Sequence, residues 1–445
     1  MYNGLKFVYI NYRRTYTDMT DNTKFDTSIK PYRPSWWLMP VEWIGSIPLL
    51  LGARAKVEKV DCEGLEAPFI ILSNHASFVD FAMVVLATFP KKLNWLITME
   101  IMCGLDWLMR RVGGIYKRKF TTDVTVVRHI LTVLKKQKGI CTIFPEARFS
   151  LAGVNEQLDD GLGALVKVAK CPVVVMNMNG NFLRSPQWNK HPYRNVRVKG
   201  TYKQIVTKEE ALTLSAEEIQ KRIEEAFVYD DYKWQYENKI KIKSKKRAHN
   251  IHKILYQCPH CKKEFSMKSE NTSLWCEECG KKWEMDEYGR LHCVNGEDHF
   301  NHVPDWYNWE RANVKAEIER GEYRFEDDVI VKRLHSKGEK FREIGKMKLS
   351  HDKDGFRLEG EEAGEKFLLT RTVGSMYSCH IEYNFKKQGD ALELCNLQDT
   401  YFVYPQNYDN IVTKIHFATE EMYKLDKLTR KEPIRRRREA TERNE

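Results

Sequence analysis

Residues 69–80 read FIILSNHASFVD. Phe69–Ser73 is a short apolar run without polar alternation, the pattern of a strand buried on both faces. The chain then turns through Asn74 and His75 and enters an apolar helical stretch containing Asp80. A strand that hands over to a helix through polar residues is one unit of an α/β sheet. Such sheets place their chemistry at the carboxyl ends of the strands.

Four more runs have the same form: Asn94–Thr98, Gly114–Lys117, Gly139–Phe144 and Pro172–Met178. Helical stretches lie between them. The clearest is Thr122–Lys138, capped by the residues TTD and closed by Gly139. This alternation predicts an α/β fold, an αβ sandwich around a mostly parallel sheet, over residues 54–228.

Composition sets the outer limits. At 445 residues the chain has room for about three domains. Hydrophobic residues make up 42%, enough for a core and too many for global disorder. The net charge of +11 suits an anionic partner: phospholipid head groups, an acidic carrier protein or nucleic acid. No stretch offers the ~20 apolar residues of a membrane span. The best candidate, Trp36–Ala53, contains Pro40, Glu42 and Pro48. It reads as a buried helix or as one lying in a membrane interface, where its tryptophans are at home. No secretory signal is visible, so a cytoplasmic location is expected, where clustered cysteines read as metal ligands.

His75 and Asp80 lie five residues apart at the end of the first strand. A carboxylate bonded to one ring nitrogen fixes the histidine tautomer and leaves the other nitrogen as general base. The same pair also reads as a helix-capping aspartate beside a hydrogen-bonded histidine. In a chain with 13 histidines the spacing alone does not choose. Other strand ends add charge. FPEARFS, Phe144–Ser150, brings Glu146 and Arg148, and GGIYKRK, Gly113–Lys119, brings Lys117, Arg118 and Lys119. An arginine fork at such an end suits a phosphate. CPVVVMNM, Cys171–Met178, opens a further buried strand.

NHASFVD, GGIYKRK, FPEARFS and CPVVVMNM, in this order and spacing, resemble the four motif blocks of the glycerolipid acyltransferases. That is the family of 1-acylglycerol-3-phosphate acyltransferase, and the resemblance covers about residues 40–230. It implies that His75 is the general base that deprotonates an acceptor hydroxyl, which attacks an acyl thioester. Asp80 would orient His75, with Asn74 and Ser77 in support. Arg118, Glu146 and Arg148 would hold the acceptor phosphate. The donor would be an acyl-coenzyme A or an acyl carrier protein, with no catalytic cofactor. One block departs from the family. The usual third block reads Phe-Pro-Glu-Gly-Thr-Arg-Ser; here Ala147 replaces Gly, Arg148 stands at Thr and Phe149 at Arg. A shift of one residue can turn a side chain to the other face. Arg148 either still reaches a phosphate or the acceptor differs.

Cys258-x2-Cys261 and Cys276-x2-Cys279, with 14 residues between the pairs, read as a zinc ribbon over 258–293 that holds one structural Zn²⁺. Before it, 229–257 reads as a basic helical connector; Lys239–Lys253 holds seven Lys and Arg and no acid. After it, 294–428 reads as a helix, then short alternating strands, then a closing helix. That outline fits a β-roll and resembles a pleckstrin-homology domain. Residues 1–53 form an N-terminal segment with the interfacial helix, and 429–445 a charged tail expected to be disordered.

The leading reading is a peripheral acyltransferase on an anionic phospholipid surface, acylating a lysophospholipid-like acceptor. A catalytically inactive lipid-binding scaffold and a zinc-ribbon nucleic-acid-binding protein are the alternatives. No nucleic-acid partner is expected, because no aromatic-and-basic stacking motif stands out.

Overall fold

The computed structural model describes residues 28–102, 105–189, 194–334 and 341–442. Most of the expected N-terminal segment, before residue 28, and the last three residues of the tail lie outside the described residues.

The first sheet is built from β1 (Lys56–Val60), β2 (Phe69–Ser73), β3 (Leu93–Thr98), β4 (Gly114–Lys117), β5 (Ile140–Ile143), β6 (Val173–Asn179) and β7 (Lys199–Val206). Their order is β1-β7-β6-β2-β5-β3-β4. Neighbours run parallel except β6 and β7, which are antiparallel. Side chains alternate across β2, as a pleated strand requires. Ile70 and Leu72 face a layer that includes Val126, Val166 and Ile219. Phe69 and Ile71 face Val79, Met83 and Val84 of the helix Val79–Thr88. Both faces are covered, so the strand reads as an unbroken apolar run. Register brings Leu72 beside Ile143 and Ser73 beside Met176. The residues that follow β2, β5 and β6 therefore emerge at one edge. The two strands that carried no sequence signal, β1 and β7, are polar: KVEKV and KGTYKQIV.

The second sheet joins β8 (Met267–Glu270), β9 (Ser273–Cys276), β10 (Lys282–Met285) and β11 (Leu291–Cys293), all antiparallel. The helix Val303–Glu319 follows. The third sheet has β12 (Phe325–Leu334), β13 (Arg342–Asp352), β14 (Gly355–Glu362), β15 (Glu365–Arg371), β16 (His380–Glu382), β17 (Ala391–Cys395) and β18 (Thr400–Pro405). Their order is β15-β14-β13-β12-β18-β17-β16. One apolar cluster runs without a break from Ala76, Leu151 and Phe182 through Trp283 to Val331, Leu394 and Ile415. The C-terminal parts thus share core with the first sheet's edge.

Three expectations are corrected. The connector 229–257 is helical only over Asp231–Glu237, with one short 3-10 turn at Ile251–Lys253. Its lysines recur at spacings that repel on a helix, and the Gln235 amide instead donates to the carbonyls of Ile240 and Glu287. The tail is not disordered through its described part: the closing helix runs Ile411–Glu442. Its Lys, Arg and Glu residues are good helix formers. The run of short strands expected within 294–428 is interrupted over 377–385, which is a strand only at His380–Glu382. Tyr377 and Ser378 leave the ladder and donate to Pro145 O and the Glu420 carboxylate. Among the described residues no helix is long and apolar enough to cross a membrane.

Gly163 lies where the helix Leu162–Ala169 meets the helix Ala216–Ala226, and a Cβ there would collide with the Ala216 carbonyl oxygen. Gly163→Ala is expected to push the helices apart and lower stability by roughly 1–3 kcal/mol. Chemical denaturation reads this out, and an unchanged midpoint would show that the contact is looser than drawn.

Candidate active site

Two residues past β2, the backbone turns so that His75 Nδ1 lies 2.9 Å from Asp80 Oδ2. Asp80 is fully buried in the first turn of the helix Val79–Thr88, where free backbone N–H groups and the helix dipole favour a carboxylate. Oδ2 also accepts from the N–H groups of Ala76 (2.6 Å) and Ser77 (2.9 Å). Oδ1 accepts from Ser77 Oγ (3.4 Å) and Asn181 Nδ2 (3.0 Å). The carboxylate is held from all sides. With Nδ1–H given to Asp80, Nε2 is left as an acceptor, and the His75 side chain keeps 24% of its exposure.

The walls around the ring are aromatic. Phe144 stacks on His75 with centroids 4.2 Å apart, and Phe149 lies at 4.4 Å. Trp95 stacks behind Phe144 and donates its indole N–H to Glu42 at 3.2 Å. Glu42 belongs to the helix Met39–Ala53; burial pushes its carboxyl up to about 7, against the Trp95 bond.

The other expected residues are placed as follows. Asn74 is buried and exchanges two 2.8 Å bonds with the Met178 backbone, pinning the end of β2 to β6. Ser77 serves Asp80. Glu146 accepts from the His75 N–H (3.4 Å), the Tyr229 hydroxyl (3.0 Å) and the Glu156 N–H (3.3 Å). Burial, with Glu156 beside it, pushes the Glu146 carboxyl up to about 8. Ala147 takes φ +56°, the left-handed turn conformation, although it is not glycine. Arg118 and Arg148 are not gathered at His75. Arg118 donates to Thr400 Oγ1 (2.6 Å) at the start of β18 and to Gln398 O in the turn before it. Arg148, 3% exposed, meets Glu156 (3.1 Å), Glu420 (3.3 Å) and His416 Nε2 (2.8 Å). Arg311 joins the same carboxylates. Burial raises the Glu156 carboxyl, but Arg148, a His416 bond and Arg311 overcome this and hold it at about 2.

Sequence reasoning missed Asn181, Tyr229, Glu156, Phe144 and Phe149. Asn181 sits just past β6 at the same sheet edge, so its position was available as a signal. Tyr229 carried none.

The four cysteines 258, 261, 276 and 279 converge, their Sγ atoms within 4.8 Å of one another. Cys258–Cys279 and Cys261–Cys276 are each 3.7 Å apart. Thiolates ~2.3 Å from a tetrahedral Zn²⁺ would sit about 3.8 Å apart, so the cluster fits that ion.

Two outcomes follow. Arg148→Met leaves Glu156 and Glu420 sharing Arg311 as their remaining guanidinium and is expected to lower stability by roughly 3–5 kcal/mol, read by chemical denaturation. Folded Glu146 stays protonated up to about pH 8, whereas its ordinary value is 4.5. The folded state therefore binds more protons in that window, and stability falls as pH rises through it. Glu146→Gln removes this contribution, so its midpoint should decline less steeply than wild type from about pH 5 to about pH 8. Parallel profiles would show that Glu146 is already ionised.

No curated protein matches the chain. Among solved structures, the 1-acyl-sn-glycerophosphate (LPA) acyltransferase PlsC from Thermotoga maritima is similar at 20% identity and a TM-score of 0.34. The likeness covers 43% of this chain and 77% of that one. Residues 54–179, which hold all four motif blocks and the His75–Asp80 pair, match the family model described as Acyltransferase.

Proposed function

We propose that the chain transfers a fatty acyl group from a thioester donor to the hydroxyl of a lipid acceptor, with His75 as general base. The observation that carries this is the His75–Asp80 bond at the end of a parallel strand, with Nε2 left as acceptor. Nε2 takes the proton of the acceptor hydroxyl as its oxygen attacks the thioester carbonyl. The tetrahedral intermediate collapses, the ester forms, the C–S bond breaks, and the thiolate takes the proton back from the imidazolium. Asp80 fixes the tautomer and offsets the transient imidazolium charge. The step calls for no catalytic cofactor, and the donor is an acyl-coenzyme A or an acyl carrier protein.

A lysophospholipid such as 1-acylglycerol-3-phosphate is the acceptor that the motif blocks suggest. A second reading, a neutral lipid alcohol, is favoured by one observation: Arg118 and Arg148 are both committed to C-terminal partners, and Phe149 stands against His75 instead.

A membrane surface supplies such substrates. Trp36, Val41, Ile44 and Leu51 are each more than 60% exposed on or just before the helix Met39–Ala53. A monomer seldom leaves such a face to water, so peripheral contact with an anionic phospholipid bilayer fits it. In this reading residues 54–228 are the acyltransferase unit and 258–293 a ribbon holding structural zinc. Residues 294–428 are a pleckstrin-homology-like roll.

Thiol release from both donors, with 1-acylglycerol-3-phosphate and a monoacylglycerol as acceptors, tests the reaction. His75→Ala should lower the rate by about 10²–10⁴ and leave the unfolding midpoint in place. Release by wild type and variant alike would remove His75 from the chemistry. A preference for the monoacylglycerol would choose the second reading. Elemental analysis should find about one zinc per chain, lost in Cys261→Ser together with thermal stability.

A further inference from the structure

The helix Met39–Ala53 ends at Arg54, whose left-handed backbone caps it. Beside Arg54 opens a cavity of about 430 Å³, lined by Arg54, Arg194, Asn195, Lys241, Lys243 and Ser244, among others. None of its lining residues is a carboxylic acid.

Arg194 is the unusual member. It is 5% exposed. Its guanidinium donates to the carbonyl oxygens of Leu183 (3.4 Å) and Arg247 (2.9 Å) and lies 5.7 Å from the Trp188 ring. Tyr232 and the like-charged Arg247 lie within electrostatic range, and among the described residues no carboxylate pairs with it. Arg148, as deeply buried, and the part-buried Arg311 each face carboxylates. A buried cation without an anion is costly and is normally matched by one. Burial pulls Arg194 down to about 10, in keeping with a missing counter-charge. Lys243 and Arg54 add two cations on the open side, and Lys241, half-exposed, pairs with Glu287 at 3.7 Å and lies 5.5 Å from the Tyr288 ring.

We propose that this cavity is an anion site that binds a phosphate group through Arg54, Arg194, Lys241 and Lys243. Arginine forks and lysine ammonium groups match the charge and the acceptor geometry of phosphate. The phosphate has two natural sources. It belongs either to a phospholipid head group, since the cavity opens at the end of the exposed apolar helix, or to a soluble phosphorylated molecule. The site lies outside the His75 machinery and does not depend on the acyl-transfer reading.

The test uses the full-length, zinc-loaded chain and three probes. These are inorganic phosphate, coenzyme A, and phosphatidylcholine vesicles with and without phosphatidic acid. Arg54→Glu/Lys243→Glu reverses charge on the open side and should weaken binding of at least one probe by about tenfold or more. The apolar helix face, the zinc content and the unfolding midpoint without ligand should be unchanged. Loss confined to the phosphatidic acid vesicles assigns a lipid head group; loss on coenzyme A and phosphate assigns a soluble source. Arg194→Met serves as the second variant. It should fold at least as stably as wild type without ligand and lose the rise in melting temperature that the bound probe gives wild type. Equal binding of every probe by wild type and both variants, or no binding of any probe by wild type, would overturn the site.

Discussion

A buried guanidinium without an anion is costly, and the pairing of Arg148 is the constraint on which the rest of this chain's assembly depends. Arg148 leaves the turn after β5 and meets Glu156 from its own sheet edge and Glu420 from the closing helix. Arg311 brings the helix Val303–Glu319 to the same carboxylates, and His416 packs against them. Three segments distant in sequence thus share one charge cluster. Removing any member would strand a charge in a low-dielectric interior, at a cost of several kcal/mol. The closing helix is therefore not a tethered appendage. The unbroken apolar cluster from Ala76 to Ile415 says the same in hydrophobic terms.

The cluster also sets the polarity of the site. Charge at the strand ends is drawn away from His75, into the contact with the third sheet and closing helix: Arg118 to Thr400, Lys119 to Glu393, Arg148 to Glu420. What remains at the ring is Phe144 and Phe149 on its faces and Asp80 at Nδ1. Asp80 is satisfied by four other donors, so its position is fixed by backbone and helix rather than by the histidine. A charge rigidly held beside an imidazole, in surroundings that exclude water, acts more strongly than it would in solvent.

How much of this was legible in the sequence follows from distance along the chain. β2, β4, β5 and β6 announced themselves because strands covered on both faces need continuous apolar runs. The His75–Asp80 pair and the cysteine knuckles are local, so spacing alone displays them. β1 and β7 lie toward the outer edge of the sheet and alternate with charge, which a search for apolar runs passes over. The destinations of Arg118 and Arg148 were invisible for a different reason. Thr400 and His416 lie 282 and 268 residues away, and nothing near either arginine encodes them. The connector was misread because its apolar and basic residues allow a helix, while the tertiary bonds of Gln235 decide against one.

The altered third block now has a single physical account. Ala147 holds the left-handed turn that glycine would adopt freely, and the two residues after it diverge. Arg148 goes outward to Glu420, and Phe149 goes inward to lie 4.4 Å from the His75 ring. Moving the arginine by one position is thus an exchange of faces. The same turn that anchors the closing helix through Arg148 leaves an aromatic ring, not a cation, beside the proposed base. Under the proposed acyl transfer, that ring offers an acceptor an apolar surface. One turn thus carries both the anchor of the closing helix and the ring beside His75.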